Sequence, residues 1–345
     1  GNGLPVTSYV VQKREEPRGA AAASEWKEVY EGPDLVMDAS GLPADCRVSL
    51  RVCGCNALGR GAWGEAASME LGPPPGCHTI DFASITLGEA IGEGAFSVVY
   101  RGTWQGQLVA VKRLKLQYAE EEHAEKFRRE VELLSQLNHR NIIRYIGASL
   151  QAPDLCVLTE LADCSLSDLL YKQMVRLKLE QIISFARHIA KGMKYLHSLR
   201  PMIIHRDLKS SNLLIDDKCS WCKIGDFGLS RMKSESTTKI SGMFGTPGWS
   251  APEIYKQDKY TEKVDMYSYG VVLSELATGE KPYAGLNQMQ IAFATVYQGQ
   301  RPALPDSLPK ALQKLIKTCW DSVPAKRPTW DRILDTLAQA DPDPA

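Results

Sequence analysis

The segment His205-Arg206-Asp207-Leu208-Lys209-Ser210-Ser211-Asn212, followed by Asp226-Phe227-Gly228, constrains this chain more than any other feature. It sets two carboxylates, an ammonium and an amide in two short stretches where a nucleotide, its metal ions and a hydroxyl group could meet. The oxygens of Asn212 and Asp226 are hard donors of the kind magnesium takes. Either stretch alone could arise by chance. Together they demand a fold that brings both loops to one place.

Upstream lie further parts suited to phosphate chemistry. Gly92-Glu93-Gly94-Ala95-Phe96-Ser97-Val98-Val99 reads as a glycine loop between strands, where bare N–H groups can approach phosphate oxygens without a Cβ in the way. Val109-Ala110-Val111-Lys112 ends a strand-like run on a lysine. Eighteen positions on, Glu130 falls in the helix-like Phe127-Arg128-Arg129-Glu130-Val131-Glu132-Leu133-Leu134. From Ile80 strand patterns come first, and helical periodicity takes over after Leu161, as in 179–197 and 264–277. Strands followed by helices predict an α+β, two-lobed unit.

These motifs, in this order over residues 80–339, resemble the eukaryotic protein kinases. The resemblance implies a two-lobed protein kinase fold, with a small lobe over about 80–160 and a large lobe over about 161–339. It implies ATP and Mg2+ as cofactors, protein substrates and phosphoryl transfer to a hydroxyl. By the same resemblance Lys112 binds phosphate and Glu130 holds its ammonium. Asp207 orients the attacking hydroxyl, Lys209 neutralises charge on the phosphoryl group, and Asn212 and Asp226 hold metal. The nucleotide would contact Gly92, Glu93, Gly94, Ala95, Phe96, Ser97, Val99, Ala110, Lys112, Thr159, Glu160, Ala162 and Leu214, with Thr159-Glu160-Leu161-Ala162 as the hinge. His205 would pack on Phe227, Glu253 of Ala251-Pro252-Glu253 would pair with Arg327, and Asp265 would anchor the large lobe.

Lys209, and Thr246 after Gly245, favour serine/threonine specificity within the family, with the threonine touching Asp207. Ile80-Asp81-Phe82, Cys319-Trp320 and Arg327-Pro328-Thr329 resemble its tyrosine-kinase-like branch. Trp249-Ser250 departs from the more usual methionine before Ala-Pro-Glu. The hydroxyl-rich stretch after Asp226 offers Ser236, Thr237, Thr238, Ser241 and Thr246 as regulatory candidates, since a phosphate could order such a loop against Arg206. Two alternatives stay open: a pseudokinase or scaffold without turnover, and a dual-specificity or tyrosine-directed kinase.

Residues 1–71 read differently. Short β-branched and aromatic runs are separated by Gly32-Pro33, Ser40-Gly41 and Gly59-Arg60-Gly61. Val48, Leu50 and Val52 alternate with Arg47, Ser49, Arg51 and Cys53, predicting a strand with Val48, Leu50 and Val52 on its buried face. Leu42 through Gly59 and Pro5-Val6-Thr7-Ser8-Tyr9 resemble strands of a fibronectin type III domain. That implies an all-β sandwich, truncated because the first two strands have no counterpart, and with Val48 at the usual corner tyrosine. Such a domain is expected to bind a partner protein or to act as a spacer. A Pro/Gly connector over 72–79 follows.

Lys+Arg and Asp+Glu both total 41, which supplies no global attraction to nucleic acid. No apolar run reaches the roughly 20 residues of a membrane span, and no signal peptide is visible. The nine cysteines are odd in number and scattered, unlike a secreted disulfide framework, so reduced thiols and a cytoplasmic location are expected. Cys219-Ser220-Trp221-Cys222 has redox-motif spacing but lacks further ligands.

Overall fold

Alternating apolar residues organise the first unit. The structure is a computed structural model describing residues 4–17, 25–34, 46–71, 79–94, 96–115, 127, 130–150, 154–227, 231–233 and 245–340. The chain divides into two units, Gly1–His78 and Thr79–Pro344. The expected connector over 72–79 lies, apart from Thr79, outside the described residues.

In the first unit, strands β1 (Ser8–Pro17), β2 (Lys27–Gly32), β3 (Cys46–Asn56), β4 (Gly59–Arg60) and β5 (Ala67–Leu71) form one antiparallel sheet ordered β2-β1-β3-β4. β5 also pairs with β3, through Val48 opposite Met69. The strand prediction over 46–56 holds, but its buried face differs from the expected one. Val48 is fully buried, yet Val52 is 44% exposed, while Cys53 and Cys55 on the opposite face pack with Val10 and Trp63. Cys53 and Cys55 share a face with Arg47, Ser49 and Arg51, so alternation alone marked that face as the polar one. Arg51 adds to the Cys53 side, its guanidinium lying 4.2 Å from the Trp26 ring centroid and 4.8 Å from that of Trp63.

The second unit begins with an antiparallel sheet of β6 (Ile85–Glu93), β7 (Ser97–Trp104), β8 (Gln107–Leu114), β9 (Tyr145–Ser149) and β10 (Cys156–Glu160), ordered β6-β7-β8-β10-β9. Register places Lys112 opposite Val99 on one side and Val157 on the other. Val109, Val111, Cys156 and Leu158 bury the core face. A helical stretch over 130–135 sets Val131, Leu133 and Leu134 into the larger core.

The rest of this unit is mainly helical. The Leu179–Ser198 helix buries Ile182, Phe185, Ile189, Met193 and Leu196 at helical spacing. The Lys263–Thr278 helix is buried on all sides from Val264 to Leu276, which makes it the axis of the lobe. Gly270 allows close packing there, because a Cβ would stand 2.9 Å from that of Cys319. Gly279 ends the helix in a left-handed conformation (φ 64°) and donates its N–H to Glu275 C=O at 2.7 Å. The Lys310–Cys319 and Trp330–Ala340 helices complete the lobe. Among the described residues no helix is long and apolar enough to cross a membrane.

Candidate active site

Lys112 leaves the sheet with its ammonium between two carboxylates. Nζ lies 2.7 Å from Glu130 Oε1 and 2.8 Å from Asp226 Oδ1. Burial works against the charged amine, but Glu130 and Asp226 outweigh it and hold Lys112 above its ordinary value. It is therefore charged at neutral pH. The pairing with Glu130 was anticipated; the one with Asp226 joins residues 114 positions apart and carries no local sequence signal.

The glycine loop turns between β6 and β7. Gly94 donates to Ser97 C=O at 2.8 Å, and Lys115 donates to Phe96 C=O at 2.9 Å. Glu93 pairs with Lys115 at 2.7 Å, and Phe96 is 52% exposed. Gly92 stands opposite Val99 in register. Ala95 lies outside the described residues. Ala110 and Thr159 face each other across β8 and β10. The side chain of Glu160 is committed elsewhere: Lys223 Nζ lies 2.7 Å from both of its oxygens, and Arg144 N–H donates to Oε1. Ala162 and Leu214 are half-buried, Leu214 on the Leu213–Ile215 strand, with its side chain against Gly225.

Residues 205–212 connect the Met202–Ile204 strand to the Leu213–Ile215 strand. Asp265 at the start of the central helix fixes where this loop begins. Its carboxylate accepts His205 N–H and Arg206 N–H, both at 2.9 Å. Trp330 Nε1 donates to His197 Nδ1, which leaves the His197 Nε2 proton to donate to Asp265 at 2.8 Å. Burial raises the Asp265 carboxyl, but these donors prevail and hold it below the ordinary range. His205 is buried; its Nδ1 accepts Asp207 N–H and its Nε2 faces Gly225 C=O at 3.2 Å. Both ring nitrogens are thus used by backbone, and the ring meets Phe227 edge-on at 5.3 Å. His205 is a structural residue here rather than a base.

Asp207, Lys209 and Thr246 close a triangle. Thr246 Oγ1 donates to Asp207 Oδ1 at 2.6 Å, Lys209 Nζ lies 2.7 Å from Asp207 Oδ2, and it donates to Thr246 Oγ1 at 2.7 Å. Asn212 Nδ2 donates to Asp207 C=O at 2.9 Å and to Oδ2 at 3.2 Å. That fixes the amide so that Oδ1 points away from Asp207. Asn212 and Asp226 carry oxygens of the hard type that magnesium takes. Among the described residues no three His, Cys, Asp or Glu side chains cluster to hold a metal.

Behind the triangle, Arg327 forks onto Glu253, both buried. Sequence reasoning passed over Glu275. This fully buried acid on the central helix accepts Ser210 Oγ at 2.6 Å, Trp249 Nε1 at 2.5 Å and the Tyr171 hydroxyl. The available signal was a carboxylate inside the apolar run Val271-Val272-Leu273-Ser274-Glu275-Leu276. Ser236, Thr237, Thr238 and Ser241 lie outside the described residues. Cys53, Cys55, Cys156, Cys164, Cys219, Cys222 and Cys319 are free thiols; Cys222 is fully buried and its thiol is pushed up by burial.

Residues 85–337 match the sequence profile of the family described as protein tyrosine and serine/threonine kinase. A probable serine/threonine-protein kinase of Dictyostelium discoideum is 42% identical over 260 residues, which is 75% of this chain and 28% of that protein. Probable serine/threonine-protein kinase drkA of the same organism is 39% identical over 264 residues, 76% of this chain and 40% of its own length. Serine/threonine-protein kinase CTR1 of Arabidopsis thaliana is 40% identical over 274 residues, 79% of this chain and 33% of its own length. The chain spans well under half the length of these relatives.

Proposed function

The chain belongs to the protein tyrosine and serine/threonine kinase family, and from that premise we propose that it transfers the γ-phosphate of ATP to serine and threonine hydroxyls of proteins, within the tyrosine-kinase-like branch. The observation that carries this reading is the Asp207–Lys209–Thr246 triangle. It gathers a carboxylate to orient a hydroxyl and an ammonium to meet a phosphoryl group.

In this reading Lys112, kept charged between Glu130 and Asp226, turns its ammonium to the nucleotide's phosphates. The glycine loop offers backbone N–H groups above them. Asn212 and Asp226 would hold magnesium, which when bound neutralises charge on the phosphates. Asp207 accepts a hydrogen bond from the incoming hydroxyl, so orientation is the larger part of its contribution. Lys209 stabilises charge that develops on the transferred group. Thr246 keeps Asp207 in place. The hinge Thr159–Ala162, with Ala110, Val99 and Leu214, lines the base. Phosphorylation among Ser236, Thr237, Thr238 and Ser241 would regulate the site.

For the first unit we infer a partial fibronectin type III-like domain that captures a partner protein. Its support is the all-antiparallel β content of the unit, which forms one sheet rather than the expected sandwich and exposes Val52 and Met69.

The test of the catalytic reading is incubation with ATP and magnesium beside Asp226→Asn, followed by phosphoamino-acid analysis. Phosphoserine or phosphothreonine only with the wild type is expected. Phosphotyrosine alone would overturn the specificity, and wild-type binding of ATP without transfer to any acceptor would overturn turnover.

A further inference from the structure

Glu275 is 0% exposed, and its three hydrogen-bond partners are neutral: Tyr171, Ser210 and Trp249. A buried carboxylate paired only with neutral donors is costly to keep. What it joins gives the reason. Ser210 follows Lys209 directly in the loop that carries Asp207. Trp249 closes a turn onto Thr246 through its N–H to Thr246 C=O at 3.2 Å, and Thr246 holds Asp207. The result is a ring running from Asp207 through Thr246, Trp249, Glu275 and Ser210 to Lys209 and back to Asp207. Ser268, also on the central helix, donates its hydroxyl to Trp249 C=O at 2.8 Å, so both ends of the tryptophan are tied to that helix.

The chemistry of the ring is directional. An indole N–H can only donate, so Glu275 Oε2 has to accept. Oε1 takes two hydroxyls, whose protons can rotate. An ionised carboxylate satisfies all three donors at once.

Resting on the kinase reading above, we infer that Glu275 is a positioning residue for phosphoryl transfer, which through Ser210 and Trp249 sets the spacing between the catalytic loop and the loop that receives the acceptor hydroxyl. It touches neither ATP nor acceptor. Its effect falls on how the acceptor is presented to Asp207, and ATP binding is left nearly unchanged.

The experiment uses the full chain with ATP, magnesium and a degenerate serine/threonine peptide mixture. Trp249→Phe keeps a ring in the pocket and removes the N–H; Ser210→Ala removes the other link. Both are measured well below their melting temperatures. The expected result for each is a fall of about tenfold in kcat/KM for peptide, with KM for ATP within about twofold of wild type. Trp249→Phe and Ser210→Ala together should cost less than the product of the two, because they break one ring. Wild-type kinetic constants in both variants, even with lowered melting temperatures, would overturn the positioning role and leave a structural one. Equal losses for ATP and peptide would also overturn it. A wild type that binds ATP but phosphorylates no acceptor would instead remove the kinase reading itself.

Discussion

The Arg327 guanidinium and the Glu253 carboxylate meet as two parallel hydrogen bonds of 2.6 and 2.8 Å across 74 positions of sequence. Arg327 also donates to Asp321 C=O and Lys263 C=O, each at 2.9 Å. The pair therefore holds the Ala251-Pro252-Glu253 segment to the start of the central helix. Removing one partner strands the other charge in the interior, at a cost of about 3–5 kcal/mol. Arg327→Met should lower the melting temperature sharply, and the double variant Glu253→Gln with Arg327→Met should recover part of the loss. Thermal unfolding of the three proteins checks this. If the single and double variants melt together, the stranded charge is not the cause.

Lys112 is gripped from two sides, so its two carboxylates should not weigh equally. Glu130→Gln leaves Asp226 in place and should cost about tenfold in kcat/KM for ATP, the value of one charge-assisted hydrogen bond. Lys112→Met removes the ammonium from both and should cost at least about a hundredfold. Steady-state kinetics with varied ATP measures both. Equal losses would mean that Asp226 contributes nothing to holding the lysine.

Thr246 offers a cleaner probe, since serine restores its hydroxyl and alanine does not. Thr246→Ala leaves Asp207 Oδ1 and Lys209 each short of a partner, and should lower kcat by about tenfold, given roughly 1–3 kcal/mol for an unmet buried polar group. Thr246→Ser should stay within about threefold of wild type. A serine variant as poor as alanine would assign the loss to the methyl group's packing.

These contacts mark how far the sequence could be read. Lys112 with Glu130, His205 with Phe227, Thr246 with Asp207 and Glu253 with Arg327 were all legible, because the resemblance of their motifs to the protein kinases implies each pair. The helices expected over 179–197 and 264–277 run Leu179–Ser198 and Lys263–Thr278, since period and capping speak locally. Other contacts were not legible. Lys112 with Asp226 and Glu160 with Lys223 join ordinary charged residues whose partners only tertiary packing selects. The burial of Cys53 and Cys55 was hidden because they share a face of β3 with Arg47, Ser49 and Arg51. Glu275 was passed over because an acid amid apolar residues reads as an exposed point on a helix, and here the helix has no exposed side.

Glu275 also makes a prediction about pH. Burial pushes its carboxyl up to about 7, even though the Ser210, Tyr171 and Trp249 donors each pull it down. Unfolded, it returns to about 4.5. Between those values the folded chain holds a proton that the unfolded chain has released, so stability falls as pH rises through the window. Above pH 7 the full penalty applies, about 3 kcal/mol for a shift of this size. His188 acts in the opposite direction over an overlapping range. Burial, then Arg140, Lys191 and Arg187, lower its imidazole to about 4, so its contribution to stability grows as pH rises toward its unfolded value of 6.5. The two can be separated by comparison with Glu275→Gln, in which the His188 contribution cancels. An amide can still accept from Trp249 and donate to the two hydroxyls, so the variant keeps the ring while losing the titration. Urea unfolding at pH 5, 6, 7 and 8 should show Glu275→Gln gaining on wild type, chiefly between pH 5 and 7, by about 2.5 kcal/mol from the lowest pH to the highest. A constant difference across the series would mean that Glu275 does not titrate in this range. A widening difference would show that the carboxylate is kept at a cost to the fold, as expected of a group retained to align two loops for catalysis.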